Sequence, residues 1–332
     1  MQIAHIDAIA RHYDVVVISP HFDDAVASCG GRILDGMKKG KKTLVVTVFT
    51  SHPIIKNSPR KSAFEKLLDY DRRCAEDRAA MALLGVDFIW LGYKEYLFRE
   101  NIPLFRYWPC YRETPSNLAL SQALSSDFLD ICLKTGCKYL LLPMAVGQHM
   151  DHQIVFQAGI QLLRNTIHPC PVIFYEDYPY ILYPNMLHYR MKITGWLHLL
   201  PQNRKELIKP IQTSAYRDAV ELLAGTPSFK LGPKTVMPIY ILIIALFGLY
   251  TRYLLKTGRN MLNAKWIVSQ EVCDISHTID RKLDAVMAYR SQLAGTVLKR
   301  QRIKDAMKTY SESIGFPKNR YCERYGKVAP AG

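Results

Sequence analysis

Five short runs of β-branched and other apolar residues, each followed by a stretch of helical pattern, constrain this chain more than any other feature. The runs are Asp14-Val15-Val16-Val17-Ile18-Ser19, residues 43–49, residues 88–92, residues 138–143 and residues 171–175. They are continuously apolar rather than alternating, as strands buried on both faces must be. Helical patterns lie between them at about 24–38 (closed by Gly40), 63–84 (closed by Gly85), 118–136 and 152–165. Repeated β-α-β units imply an α/β fold: a three-layer, Rossmann-like, mostly parallel sheet with helices on both faces. Ligands of such sheets bind outside the carboxyl ends of the strands, so those ends are where chemistry is expected.

Two polar clusters fall at such ends. The first strand runs into Ser19-Pro20-His21-Phe22-Asp23-Asp24-Ala25 and then Ser28-Cys29-Gly30-Gly31, and the fourth is followed by Gly147-Gln148-His149-Met150-Asp151-His152. Imidazole and carboxylate donors together suit Zn²⁺, and a catalytic zinc site needs three protein ligands and an open position. His21, Asp24 and His152 can supply the three. Asp23, His149 and Asp151 are then left for proton transfer and for orienting the ligands. Either cluster alone has a plainer use, with Asp24 capping the next helix and His21 satisfied in a turn. Two clusters at one sheet edge favour the metal.

The pairing of Pro20-His21-Phe22-Asp23-Asp24 and a downstream Gly-Gly with His149-Met150-Asp151-His152 resembles the PIG-L/LmbE family of zinc-dependent de-N-acetylases. Arg73-Cys74-Ala75-Glu76 with Leu84-Gly85-Val86, and residues 275–292, are similar to that family's R-x-x-E helix and C-terminal helix. The resemblance covers roughly residues 14–177 and 270–293 and implies an LmbE-like fold. It also implies metal ligation by His21, Asp24 and His152, with Asp23 as general base. His149 is implied as the acid or oxyanion stabiliser, oriented by Asp151. Zinc would lower the pKa of its bound water towards about 7 so that Asp23 can take the proton, while a cationic His149 would meet the oxyanion. The implied reaction removes the acetyl group from an N-acetylamino sugar conjugate of the N-acetylglucosamine type. Its aglycone, whether lipid, nucleotide, thiol precursor or antibiotic, is left open.

The chain departs from the family pattern at three positions. Phe22 and Ala25 stand where many members have a second Pro and a Glu, and loss of that Glu removes an acceptor that could orient a ligand. Gly147 stands where some members place an oxyanion-binding Tyr, so that task falls to zinc and His149, or to a Tyr from elsewhere. Ala25 and Gly147 keep an alternative open: a non-catalytic sugar-binding or scaffold protein of the same fold. Expected substrate contacts are Arg73, Glu176, Asp177 and Tyr178. Tyr rings beside carboxylates suit a sugar face and its hydroxyls. The plainer alternatives are an Arg73 ion pair with Glu76 or Asp77, and a rim of packed tyrosines. Glu95 and Arg99, beyond the third strand, form a weaker pair, and Arg290-Ser291-Gln292 reads as structural.

The whole chain, residues 1–332, reads as one domain: a motif-bearing core over 14–177, a basic and apolar insertion or cap over 178–272, and a final helix over 275–310. Residues 235–251 carry no charge but are too short, with Pro238 and Gly248 inside, to span a bilayer. They read as a core or subunit-contact helix, or as one docking on a membrane between flanking lysines and arginines. Eight cysteines without a C-x-x-C pair read as scattered buried thiols, and Met1–Asp14 lacks a signal-peptide pattern, so a cytoplasmic setting is expected. The formal charge of +15 is concentrated in residues 32–61, with eight Lys+Arg against one acid, and residues 299–327, with nine against three. That suggests an anionic conjugate or peripheral contact with an anionic membrane. No helix-turn-helix, zinc-finger or RNA-binding motif is present, so no specific nucleic-acid partner is expected.

Overall fold

A computed structural model of the protein describes residues 1–51, 69–99, 114–164, 169–182, 186–200, 266–293 and 300–330. Among these lie eight strands: β1 (Gln2–Ile3), β2 (Val15–Ser19), β3 (Thr43–Ser51), β4 (Asp87–Lys94), β5 (Tyr139–Pro143), β6 (Val172–Tyr175), β7 (Trp266–Asp274) and β8 (Cys322–Pro330). The helices are α1 (Asp24–Lys38), α2 (Tyr70–Leu84), α3 (Tyr96–Arg99), α4 (Pro115–Thr135), α5 (Met150–Arg164), α6 (Met186–Thr194), α7 (Ile279–Val286), α8 (Arg290–Leu293) and α9 (Arg300–Ser313). The strands make one sheet of order β1-β4-β3-β2-β5-β6-β8-β7.

The five strands read from the apolar runs are parallel to one another, with Val15 opposite Thr43 on one side and Tyr139 on the other. The chain leaves β2 towards β3 and returns on the far side to β5, so the strand order reverses between β2 and β5. A crevice opens at such a switch point, at the carboxyl ends of both strands. Helices α1, α2 and α7 pack together, and α4 packs with α5. The mostly parallel sheet and its helices make a Rossmann-like α/β fold.

Local chemistry explains most element boundaries. The Thr114 side chain accepts a hydrogen bond from the Asn117 N–H at the start of α4, and Asp69 does the same for Arg72 at the start of α2. Gly85 and Gly136 end α2 and α4 at φ 73° and 58°, where glycine is the favoured residue. Gly31 serves close approach instead, since a Cβ there would stand 2.4 Å from Cγ2 of Ile275.

Three differences from the sequence reading stand out. First, β1, β7 and β8 were not expected. β8 pairs antiparallel with β6 and β7, inside and beyond the segment read as a cap. Its Glu323 and Arg324 are buried, so the strand does not look apolar: Glu323 accepts from Lys282, and Arg324 pairs with Glu176. Second, the expected helix over 275–310 is divided. α7 stops at Val286, Tyr289 turns inward to donate its hydroxyl to Asp77, and α8 and α9 follow separately. Third, α5 begins at Met150, so Asp151 and His152 occupy its first turn. Residues 235–251 lie outside the described residues, and among those described no helix is long and apolar enough to cross a membrane.

Candidate active site

Both polar clusters meet at the β2/β5 switch point. Ser19, the last residue of β2, takes over the capping of α1: its Oγ accepts from the Ala25 N–H at 2.9 Å and donates to the His21 carbonyl at 2.6 Å. Asp23, the residue before α1, makes no side-chain capping bond, so its carboxylate is not spent on the helix. Asp24 turns the other way. Its Oδ2 accepts the His21 N–H at 2.8 Å and lies 3.2 Å from His21 Nδ1 and 3.1 Å from His152 Nε2.

That shared oxygen defines the donor set. Two ligands each about 2.0–2.1 Å from a tetrahedral centre lie roughly 3.3 Å apart, close to both separations. The tautomers fit as well. His152 Nδ1 bonds Asp177 Oδ1 at 2.7 Å and His21 Nε2 bonds Asp151 Oδ2 at 3.0 Å, so a carboxylate holds one nitrogen of each ring and the other faces Asp24. Among the described residues, His152 Nε2 is buried without a hydrogen-bond partner. Lone pairs of two imidazoles and a carboxylate aimed at one point need a cation between them. His149 also reaches the cluster: one ring nitrogen from each of His21, His149 and His152 falls within 4.8 Å of the others. The group fits a metal ion.

Electrostatics point the same way. Burial disfavours a charged imidazole, yet hydrogen bonds to Asp151 and Asp24 raise His21 well above its usual range. His152 is raised to about 9: burial opposes the charged form, but Asp24 and Asp177 outweigh it. Although burial raises a carboxyl, the neighbouring His152 and His21 hold Asp24 well below the usual range. A place that holds protons so firmly on imidazole is one that stabilises positive charge. Asp23 differs from its neighbour, because burial and the charge of Asp24 raise it.

His149 is placed differently from what the resemblance implies. Its Nδ1 accepts the backbone N–H of Asp151 at 3.3 Å, which puts the ring proton on Nε2. The Asp151 carboxylate stands 4.0 Å from that Nδ1, beyond hydrogen-bond reach. Asp151 instead holds His21, accepts the Tyr96 N–H at 3.0 Å and pairs with Arg99 Nη2 at 2.7 Å. It positions His21 and not His149. Burial and the adjacent His21 push His149 down to about 3, so its ring is neutral and not the cation expected.

The expected substrate contacts are mostly committed to the fold. Asp177 is 1% exposed and divides its oxygens between His152 and the Val146 N–H. Glu176 pairs with Arg324 and accepts the Tyr310 hydroxyl. Tyr178 is buried, its N–H on Ser28 Oγ. Arg73 pairs with Glu95 at 2.8 Å, rather than with Glu76 or Asp77, and lies over the Tyr70 and Phe22 rings. Glu76 accepts from Ser291 instead, which makes the 290–292 segment structural.

Two groups prove closer to the chemistry than their sequence suggested. Glu95 and Arg99 follow β4 and reach the site through ion pairs with Arg73 and Asp151. Tyr180 is the other. A Cβ at Gly147 would lie 2.3 Å from its ring, and the ring meets His152 edge-on with centroids 5.5 Å apart. Gly147 therefore leaves room for a tyrosine that arrives from the loop after β6. Phe22, at the family's proline position, is fully buried against Tyr70 and Trp90.

Comparison with known proteins places this geometry among relatives. Residues 16–163 match the family model described as PIG-L: GlcNAc-PI de-N-acetylase. A 2'-N-acetylparomamine deacetylase of Niallia circulans is 27% identical over 233 residues, covering 63% of this chain and 80% of that protein. The protein of the same description from Streptomyces fradiae is 27% identical over 173 residues, covering 51% of this chain and 58% of that protein. A deacetylase from the biosynthesis pathway of teicoplanin superposes with a TM-score of 0.62 at 19% identity, covering 97% of this chain and 98% of the other. A zinc inhibited form of teicoplanin deacetylase gives 0.61 at 19%, with the same coverage. At that identity the two structures speak for the fold.

Proposed function

We propose, with residues 16–163 forming a PIG-L-type domain, that this chain is a carbohydrate de-N-acetylase: a metal-dependent amide hydrolase that releases acetate from an N-acetylamino sugar conjugate. The observation that carries the reading is the single Asp24 oxygen shared by His21 Nδ1 and His152 Nε2, beside an Asp23 carboxylate free of capping duty. The deacetylases among its relatives support the reaction class, and two of them are by name deacetylases of 2'-N-acetylparomamine.

His21, Asp24 and His152 would hold the metal, with zinc the ion best matched to two imidazoles and a carboxylate. When bound, such an ion acidifies water and polarises an amide carbonyl. Asp23 takes the proton from the attacking water, its basicity raised by burial and by Asp24. His149 carries its one proton on Nε2, so it donates a hydrogen bond to the developing oxyanion, and the proton that the leaving amine needs is the one Asp23 has taken from the water. Asp151 and Asp177 fix the tautomers of His21 and His152 so that each turns a lone pair to the same point. Neither Ala25 nor Gly147 removes a group from this set, since Ser19 satisfies the Ala25 N–H and Tyr180 fills the space beside Gly147. A non-catalytic role therefore gains nothing from these two positions.

The test is acetate release across a panel of N-acetylglucosamine conjugates carrying nucleotide, lipid or pseudodisaccharide aglycones. Turnover of at least one is expected. A fall of about 10²–10⁴-fold is expected in Asp23→Asn, with bound metal retained. No turnover of any conjugate by metal-loaded protein would count against the assignment. An anionic conjugate or membrane surface would meet the basic flanks, and comparing anionic with neutral vesicles tests that contact.

A further inference from the structure

At the opposite end of the sheet, three cysteines that look scattered in sequence converge. Cys132 lies in the last turn of α4, Cys137 lies just past the Gly136 that ends it, and Cys170 precedes β6. Their sulfurs are 3.4 Å apart for Cys137 and Cys170 and 3.8 Å for Cys170 and Cys132, and all three fall within 4.8 Å of one another. The residues are 1%, 5% and 4% exposed for Cys132, Cys137 and Cys170 in turn. None belongs to the His/Asp site, which contains no sulfur ligand.

We propose that Cys132, Cys137 and Cys170 form a second metal site, a three-thiolate cradle for one soft cation such as zinc, cadmium or copper(I). Three sulfurs about 2.3 Å from a common ion lie roughly 3.8–4.0 Å apart, and the observed spacing needs only small rotamer changes to meet that. Thiolates select soft d¹⁰ cations over magnesium or calcium. The cradle sits at the C-terminal end of α4, the negative end of the helix dipole, which favours a cation and disfavours an uncompensated thiolate. Occupancy would tie α4 to the starts of β5 and β6, the two strands that carry the catalytic loops at their other ends. Each thiol that ligates yields its proton to the buffer, so one divalent ion releases up to three protons with no change of oxidation state.

The experiment titrates the reduced, full-length protein with Cd²⁺ and follows thiolate-to-metal charge-transfer absorption, a band the sulfur-free catalytic site cannot give. The expected result is a band that saturates at one equivalent. Cys137→Ser and Cys170→Ser should each weaken cadmium binding at least tenfold, with acetate release from the metal-loaded enzyme unchanged. No band, or one that survives both substitutions, overturns the proposal. Should the variants fail to fold, alkylation of the unaltered chain decides. One equivalent of Cd²⁺ should protect the peptides containing Cys132, Cys137 and Cys170 while leaving Cys74 and Cys273 as reactive as before. Equal labelling of the three with and without cadmium overturns the site.

Discussion

Asp23 and Asp24 are adjacent carboxylates with opposite surroundings, and the proposed division of labour at the site follows from that. Asp24 faces two imidazoles that favour its charge. Asp23 stands outside that set, half-buried, beside a like charge. The H-x-D-D spacing made these two legible, because a turn into a helix sends consecutive side chains in different directions. Asp177 was legible as present but not in its role. Nothing in Glu176-Asp177 says which carboxylate turns inward to His152, since that depends on how β6 registers against β5. Asp177→Asn should weaken metal affinity about 10–100-fold, measured by competition with a chelator, because His152 loses the acceptor that fixes its tautomer. Unchanged affinity would return Asp177 to the substrate side.

The loops after β2, β4, β5 and β6 build the site together, and each is held by an interaction of long sequence reach. The four apolar runs announced where those loops would start. Their mutual contacts were hidden, because Arg73–Glu95 and Arg99–Asp151 join residues from different elements without any periodic signal. Tyr180 against Gly147 is another such contact. Gly147→Ala should cost about 1–3 kcal/mol of stability in denaturant melts, as overpacking does, and should depress turnover by displacing the ring beside His152. Adding Tyr180→Ala should recover the stability. Glu176 gives a converse case. Its loss leaves Arg324 buried without its partner, so Glu176→Gln should destabilise the fold by about 3–5 kcal/mol while KM stays put. A raised KM at unchanged stability would make it a substrate contact after all.

Across the whole molecule, part of the positive charge is taken up in ion pairs, most of them at the surface. From the two basic stretches, Arg32 pairs with Glu271, Lys39 with Asp35, Arg300 and Lys304 with Asp280, Arg320 with Asp274, and Arg324 with Glu176. A count of charges along the sequence cannot show this, since most of these partners are remote. Charge burial also sets the pH dependence of stability. Burial raises Asp77 from the ordinary 3.8 to about 7, against hydrogen bonds from Tyr289 and Trp90. The unfolded chain thus ionises this carboxyl first, and stability falls between about pH 4 and 7, by on the order of 4 kcal/mol once above pH 7. Asp77→Asn should flatten that part of the stability curve, and an unchanged slope would show that the carboxyl ionises normally.

A metal held between His21, Asp24 and His152 is the centre of the proposed chemistry. Its most direct test is acetate release from an N-acetylglucosamine conjugate by chelator-stripped protein, before and after return of one equivalent of zinc, set beside His152→Ala. The stripped protein should be inactive, zinc should restore it, and His152→Ala should stay inactive with zinc present. Full activity in the stripped protein, with metal absent by elemental analysis, would contradict the central claim.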